Sequence, residues 1–181
     1  VEFPPEELLC RRLRLRRPRL DDAERAFESY ASDAAITRYL TWTAHSSAAQ
    51  TREQFQQWID AWDLRMGHRV WLVQRLDDEA LMGTIGFTAW FHRIEVGFAL
   101  GKAFWGRGYM PEALGEVCRA AFADARIFRV QALCDEENRR SARVLEKVGM
   151  QYEGRLRSYG YHPNRSDLPR DCLMYSLVRG D

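Results

Sequence analysis

The residues from Gly101 to Pro111 read G-K-A-F-W-G-R-G-Y-M-P, after an apolar run that ends at Leu100. This is the pattern of a strand, a glycine-rich turn and a helix with Pro111 in its first turn. A missing amide there costs no helical bond. Gly106 and Gly108 let the main chain approach a ligand closely and point successive N–H groups outward. Those donors and the helix N-terminus together make an anion site suited to phosphate, and Arg107 can add a counter-charge. A P-loop is excluded, because no lysine followed by Ser or Thr closes the motif. A dinucleotide loop would need a third glycine where Pro111 stands, although Asp135 at the end of the next strand imitates the ribose-binding carboxylate. The diphosphate of coenzyme A is a third ligand for such a loop. The plain alternative is that the glycines only shape a tight turn.

Three further side chains could act on a reacting group. Glu95 sits among Ile94, Val96 and Phe98 in the strand leading into the loop. Partial burial there would raise a carboxyl pKa and suit a general base. The alternative is a solvated carboxylate, or one paired with Arg93 or Arg129. Asn138 and Ser141 share one face of a later helix. By position alone they are also a good N-cap and a passable first-turn residue.

Periodicity supplies the elements that must hold these groups. In the run from Leu8 to Leu15, Leu13 and Leu15 alternate with Arg12, Arg14 and Arg16, the period of one half-buried strand, which Pro18 stops. The arginines among 11–19 then read as its solvated face. Leu20-Asp21-Asp22 starts a helix whose face carries Ala23, Ala26, Phe27 and Tyr30, and a short helix follows near Ala34 to Tyr39. Thr51-Arg52-Glu53-Gln54 fits a capping box ahead of the stripe Phe55, Trp58, Ile59 and Trp62, with Gly67 as the stop. Strands are expected over 70–76, 81–88 and 94–100, with Trp90-Phe91-His92 as a loop. A helix over 109–123, a strand over 129–134 and a helix over 138–148 closed by Gly149 come next. Two strands over 150–159 and 171–178, joined by a polar loop, end the chain. The strand–helix–strand crossover makes 94–100 and 129–134 parallel. The whole reads as a mixed α/β (α+β) domain of about seven mostly antiparallel strands flanked by helices, one domain over residues 1–181.

Composition bounds the rest. The 27 basic and 26 acidic side chains leave a net charge of +1, so bulk charge does not direct the chain to nucleic acid. Cys10, Cys118, Cys134 and Cys172 form no C-x-x-C pair and read as reduced thiols of a cytoplasmic protein, Cys134 as inert packing. The histidines (His45, His68, His92, His162) show no metal-ligand spacing, so no metal is expected. No apolar run is long enough for a membrane span and no signal peptide opens the chain.

W-G-R-G-Y-M-P-E-A-L at 105–114, preceded by I-E-V-G-F-A-L at 94–100, resembles the acetyl-CoA-binding core of the GNAT N-acetyltransferases, specifically the RimJ/RimL-like subgroup that acetylates ribosomal-protein N-termini. E-N-R-R-S-A-R-V-L-E-K-V-G-M at 137–150 is similar to that subgroup's second cofactor helix. R-L-R-L-R-R-P-R-L-D-D-A at 12–23 is similar to its opening strand and helix, and Glu153 to Leu156 with Asp171 and Tyr175 to its closing hairpin. The general signature [QR]-x-x-G-x-[GA] is broken here, since Ala103 stands in its first position.

The resemblance implies that the strands over 94–100 and 129–134 splay apart, and that the arm of acetyl-CoA bonds to the open edge at Phe98, Ala99 and Leu100. It implies diphosphate contacts from Trp105, Gly106, Arg107, Gly108, Tyr109 and Met110. Asn138 and Ser141 would meet the pantetheine arm, with Ser141 near the sulfur, and Glu95 would act as base through water. Trp90 and Phe91 could line the acceptor cleft. The implied reaction is direct acetyl transfer to a primary amine in a ternary complex, with a protein N-terminal α-amine as leading acceptor. Small amines (an amino acid, a polyamine or an antibiotic) remain open, as do a non-catalytic acyl-CoA sensor and a ribosome-associated binding protein. The sequence is silent on oligomeric state, and a homodimer is compatible with it.

Overall fold

In the computed structural model, which describes residues 3–181, the alternating segments pair into one eight-stranded sheet. The strands are β1 (Glu7–Leu9), β2 (Leu13–Arg16), β3 (His68–Arg75), β4 (Leu81–Trp90), β5 (Arg93–Leu100), β6 (Arg129–Asp135), β7 (Gln151–Gly160) and β8 (Arg170–Val178). Their order is β1-β2-β3-β4-β5-β6-β8-β7. Every neighbouring pair is antiparallel except β5 with β6. That parallel pair is joined through α4 (Tyr109–Ala123), as the crossover requires. The other helices are α1 (Ala23–Ala26, continued by a π-helical turn over Phe27–Ala31), α2 (Ala34–Thr37), α3 (Ala48–Asp63) and α5 (Arg139–Lys147).

The sheet has eight strands rather than about seven, because the run from Leu8 to Leu15 is a hairpin and not one strand. Cys10 N donates to Leu13 O at 2.8 Å, and Leu8 pairs with Leu15 across the turn. Nor are all its arginines solvated. Arg16 is 7% exposed, forms a bidentate pair with Asp22 and donates from Nε to Gln74 Oε1 at 2.9 Å. A buried guanidinium is tolerable only with such partners.

The long helix begins earlier than the expected capping box. Ser47 has extended dihedrals and its hydroxyl accepts from Gln50 N at 3.2 Å, so α3 starts at Ala48. Thr51 is buried one turn inside, with its hydroxyl 2.8 Å from His45 Nδ1. The helix ends before Gly67, and Arg65 takes the left-handed conformation with φ of 51°.

Both sheet faces are covered. On one face Leu13, Leu15, Trp71, Ile85, Ile94 and Val96 pack with Met110, Ala113, Leu114 and Val117 of α4. Those helix positions recur at the spacing of one apolar stripe. On the other face a smaller cluster joins Leu72, Leu81 and Ala99 to Ala23, Ala26, Tyr30 and Phe55.

Candidate active site

Parallel pairing between β5 and β6 stops at Val96 with Ala132, although both strands continue. Beyond that point the two strands part, and β5 presents an edge with no strand partner on that side. The expected splay is therefore a feature of the sheet. Phe98, Ala99 and Leu100 lie along the opening and line one large cleft.

At the top of the opening the chain turns through a short 3₁₀ stretch, Lys102–Phe104, into α4. Gly106 and Gly108 hold φ of 74° and 77°, a conformation that side chains with a Cβ resist. The consequence is a row of donors. The N–H groups of Gly106, Arg107, Gly108, Tyr109 and Met110 find no acceptor among the described residues. Successive free N–H groups at a helix N-terminus fit a diphosphate. Trp105 donates its indole N–H to Leu100 O at 2.7 Å, pinning the loop to β5. Trp105, Gly106, Gly108, Tyr109 and Met110 all line the cleft, whereas the exposed Arg107 does not. Arg107 instead offers its carbonyl to Arg12 Nη1 at 3.1 Å.

Glu95 stands on the cleft side of β5, half-buried. Neither Arg93 nor Arg129 is its partner. Its Oε2 accepts from Gln131 Nε2 at 2.9 Å, while Arg129 is held by Glu153 and Arg93 lies against the Trp90 ring. Two positions along the strand, Gly97 is exposed, and a Cβ placed on it would meet nothing within 4 Å. Glycine there leaves an open floor beside the carboxylate.

Asn138 and Ser141 reach the same cleft from α5. Asn138 caps the helix by accepting from Ser141 N at 3.2 Å, so the capping and cleft-lining readings hold together. Burial pushes the Cys134 thiol up to about 12, and the Ser141 hydroxyl bonded to its sulfur opposes that shift. Cys134 is an inert thiol on the cleft wall. Asp135 is no ribose mimic: it is fully buried and holds Arg170 Nε at 2.5 Å.

Trp90 and Phe91 are not brought to the cleft. They sit at the β4–β5 turn, where Phe91 is fully exposed, and neither lines the opening. The far side of the cleft is walled instead by Tyr39, Trp42, His45 and Trp58, with His68 and Thr88 at the strand ends. Asn164 braces this wall, donating from Nδ2 to Thr37 O at 2.8 Å and Trp42 O at 2.7 Å. Sequence reasoning missed these residues, because register and not spacing carries them there. It also passed over Arg139, Arg140, Arg143 and Lys147, which line the cleft as a cationic rim along α5. Their clustering on one short helix was the available signal. Among the described residues no group of three or more His, Cys, Asp or Glu side chains could hold a metal ion, and no helix is long and apolar enough to cross a membrane.

The acetyltransferase (GNAT) domain family matches residues 12–151. The chain is 32% identical to the uncharacterized N-acetyltransferase YoaA of Bacillus subtilis over 171 residues, covering 93% of this chain and 94% of that one. It is 29% identical over 87 residues to the ribosomal protein uS5-alanine N-acetyltransferase of Escherichia coli, 46% of this chain and 45% of that one. A GNAT-family acetyltransferase from Bacillus anthracis superposes with a TM-score of 0.83 at 25% identity, covering 97% of this chain and 99% of that one.

Proposed function

The chain belongs to the GNAT acetyltransferase family, and on that footing we propose that it acetylates the free α-amine at a protein N-terminus. It is an acetyl-CoA-dependent N-acetyltransferase; the acceptor is the part inferred here. Acetyl-CoA supplies a thioester whose carbonyl carbon an uncharged amine can attack. One observation carries the acetyl-transfer part of the reading: the free N–H row at 106–110, the open edge of β5, Glu95 and Ser141 all meet at one parting of the sheet.

The N–H row and the α4 N-terminus hold the diphosphate, and the cationic rim of α5 meets its remaining charge. The edge of β5 and Asn138 orient the pantetheine arm. Ser141 donates its hydroxyl proton's hydrogen bond to the departing thiolate, exchanging Cys134 for the coenzyme sulfur. Glu95 takes the ammonium proton through a water above Gly97, and the second N–H proton, lost as the amide forms, goes to the departing thiolate, which leaves as the coenzyme thiol. An α-amine has a pKa of roughly 7.7–8.0 against roughly 10.4 for lysine, so one carboxylate in the cleft suffices to free it. The Escherichia coli relative's name, a ribosomal-protein alanine acetyltransferase, supports the same acceptor class.

The test is a coenzyme A release assay over N-terminal peptides, polyamines and aminoglycosides, with Glu95→Gln and Ser141→Ala beside the parent. Turnover highest on peptides supports the proposal. A polyamine or aminoglycoside as best acceptor overturns the α-amine reading. If both variants keep the parent rate, the roles of Glu95 and Ser141 are wrong.

A further inference from the structure

The sheet lines up a polar row across four strands. His68 pairs with Thr88, Thr88 with Glu95, and Glu95 with Gln131, so these side chains share the cleft face. The contacts at its two ends are made: His68 Nδ1 lies 3.2 Å from Thr88 Oγ1, and Gln131 Nε2 donates to Glu95 Oε2 at 2.9 Å. The second oxygen of Glu95 has no hydrogen-bond partner among the described residues. Cross-strand neighbours have Cβ atoms roughly 4.5–5.5 Å apart, within reach of a carboxyl–hydroxyl contact directly or through one water.

We propose that His68, acting through the Thr88 hydroxyl, receives the proton that Glu95 removes from the acceptor amine and passes it to solvent. The inference rests on the acetyl-transfer reading above and adds the proton's exit from the cleft. A base that keeps the proton blocks the next turnover, and Glu95 is half-buried with Gln131 on one side. The O–H bond of the protonated carboxyl breaks as its proton moves to Thr88 Oγ1. The Thr88 hydroxyl proton moves to His68 Nδ1. Glu95 is again a carboxylate, Thr88 is unchanged, and His68 is an imidazolium that gives one proton to water.

The surroundings favour this direction. Partial burial lowers the His68 pKa, with a hydrogen bond to the Phe87 main chain opposing it, so the ring is neutral near pH 7. The charged groups along the row are Glu95 on β5 and, beyond Gln131, the Arg129–Glu153 pair. From the helical side α3 lines the cleft with Thr51, Gln54, Phe55 and Trp58, none of them charged. The His68–Thr88 contact is itself exposed, which opens the end of the row to water.

His68→Ala and Thr88→Val, measured beside the parent on its best acceptor, test the relay. A positioned proton acceptor contributes roughly 10²–10⁴-fold, and a group one hydroxyl removed is expected to cost about tenfold in kcat. The acetyl-CoA Kd by calorimetry should stay within about twofold of the parent, and added imidazole should restore part of the His68→Ala rate but none of the Thr88→Val rate. His68→Ala with the parent kcat, or with a loss that imidazole does not restore, overturns the relay alone. A parent that binds acetyl-CoA but turns over no amine overturns the acetyl-transfer reading and the relay with it.

Discussion

Arg12 and Glu112 lie 100 positions apart and meet twice behind the glycine loop: Arg12 N donates to Oε1 at 2.7 Å and Arg12 Nε to Oε2 at 2.7 Å. The same guanidinium donates to Arg107 O and lies 4.4 Å from the centre of the Tyr109 ring. One side chain from the β1–β2 turn therefore holds the loop and the first turn of α4 in one arrangement. This is preorganisation of a binding site by a group outside it.

Arg12→Ala should weaken acetyl-CoA binding about tenfold, because charged hydrogen bonds are worth roughly 1.5–3 kcal/mol and part of that is recovered by water. The maximal rate at saturating acetyl-CoA should stay within about twofold. Calorimetry and steady-state rates read the two effects separately, and an unchanged Kd would show that the loop keeps its shape without Arg12.

Gly97→Val fills the floor beside Glu95. A Cβ at that position meets nothing within 4 Å, so the fold should tolerate the change and the melting temperature should move by less than about 2 °C. Acetyl transfer should fall at least about tenfold through misplacement of the reacting groups. Parent-level activity in this variant would place the amine away from Gly97.

The Arg16–Asp22 pair is buried on both sides, at 7% and 5% exposure. Removing one partner strands the other charge, so Asp22→Ala is expected to cost about 3–5 kcal/mol in urea unfolding. Replacing both, as in Arg16→Met with Asp22→Leu, should recover most of that loss, since the penalty belongs to the unpaired charge. Equal destabilisation in the single and double variants would refute this account.

Glu153 supplies a pH test. The Arg129 guanidinium and the Ser176 hydroxyl hold its carboxyl at about 2, against 4.5 in an open chain. A depressed folded-state pKa stabilises the protein above the unfolded value and loses that contribution as pH falls through the folded one. The melting-temperature gap between the parent and Glu153→Gln should be full at pH 6 and close between about 4.5 and 2. A gap that persists at pH 2 would show that the pair contributes by packing alone.

Much of the architecture follows from local pattern. The helix over 109–123 emerges with those bounds because its apolar stripe, Pro111 and Gly108 are all local signals. The strands at 94–100 and 129–134 are found within a residue, and their parallel pairing follows from the crossover between them. The errors fall where local signals compete. The alternation of Leu13 and Leu15 with arginines hid the β1–β2 turn, because it was carried back over Leu8-Leu9-Cys10-Arg11, which does not alternate. The capping box at Thr51-Arg52-Glu53-Gln54 set the expected helix start one turn late, whereas the extended dihedrals of Ser47 and its bond from Gln50 N make Ser47 the cap.

The glycine turn, the carboxylate in the strand before it and the Asn138–Ser141 helix face were thus determined by the amino-acid sequence on its own. Their convergence was not. Which residues stand beside Glu95, that Trp90 and Phe91 lie outside the cleft, and that Arg12 braces the loop all depend on strand register and on contacts far apart in the chain. Sequence periods are local and set by backbone geometry, whereas register is chosen by the packing of whole faces against one another.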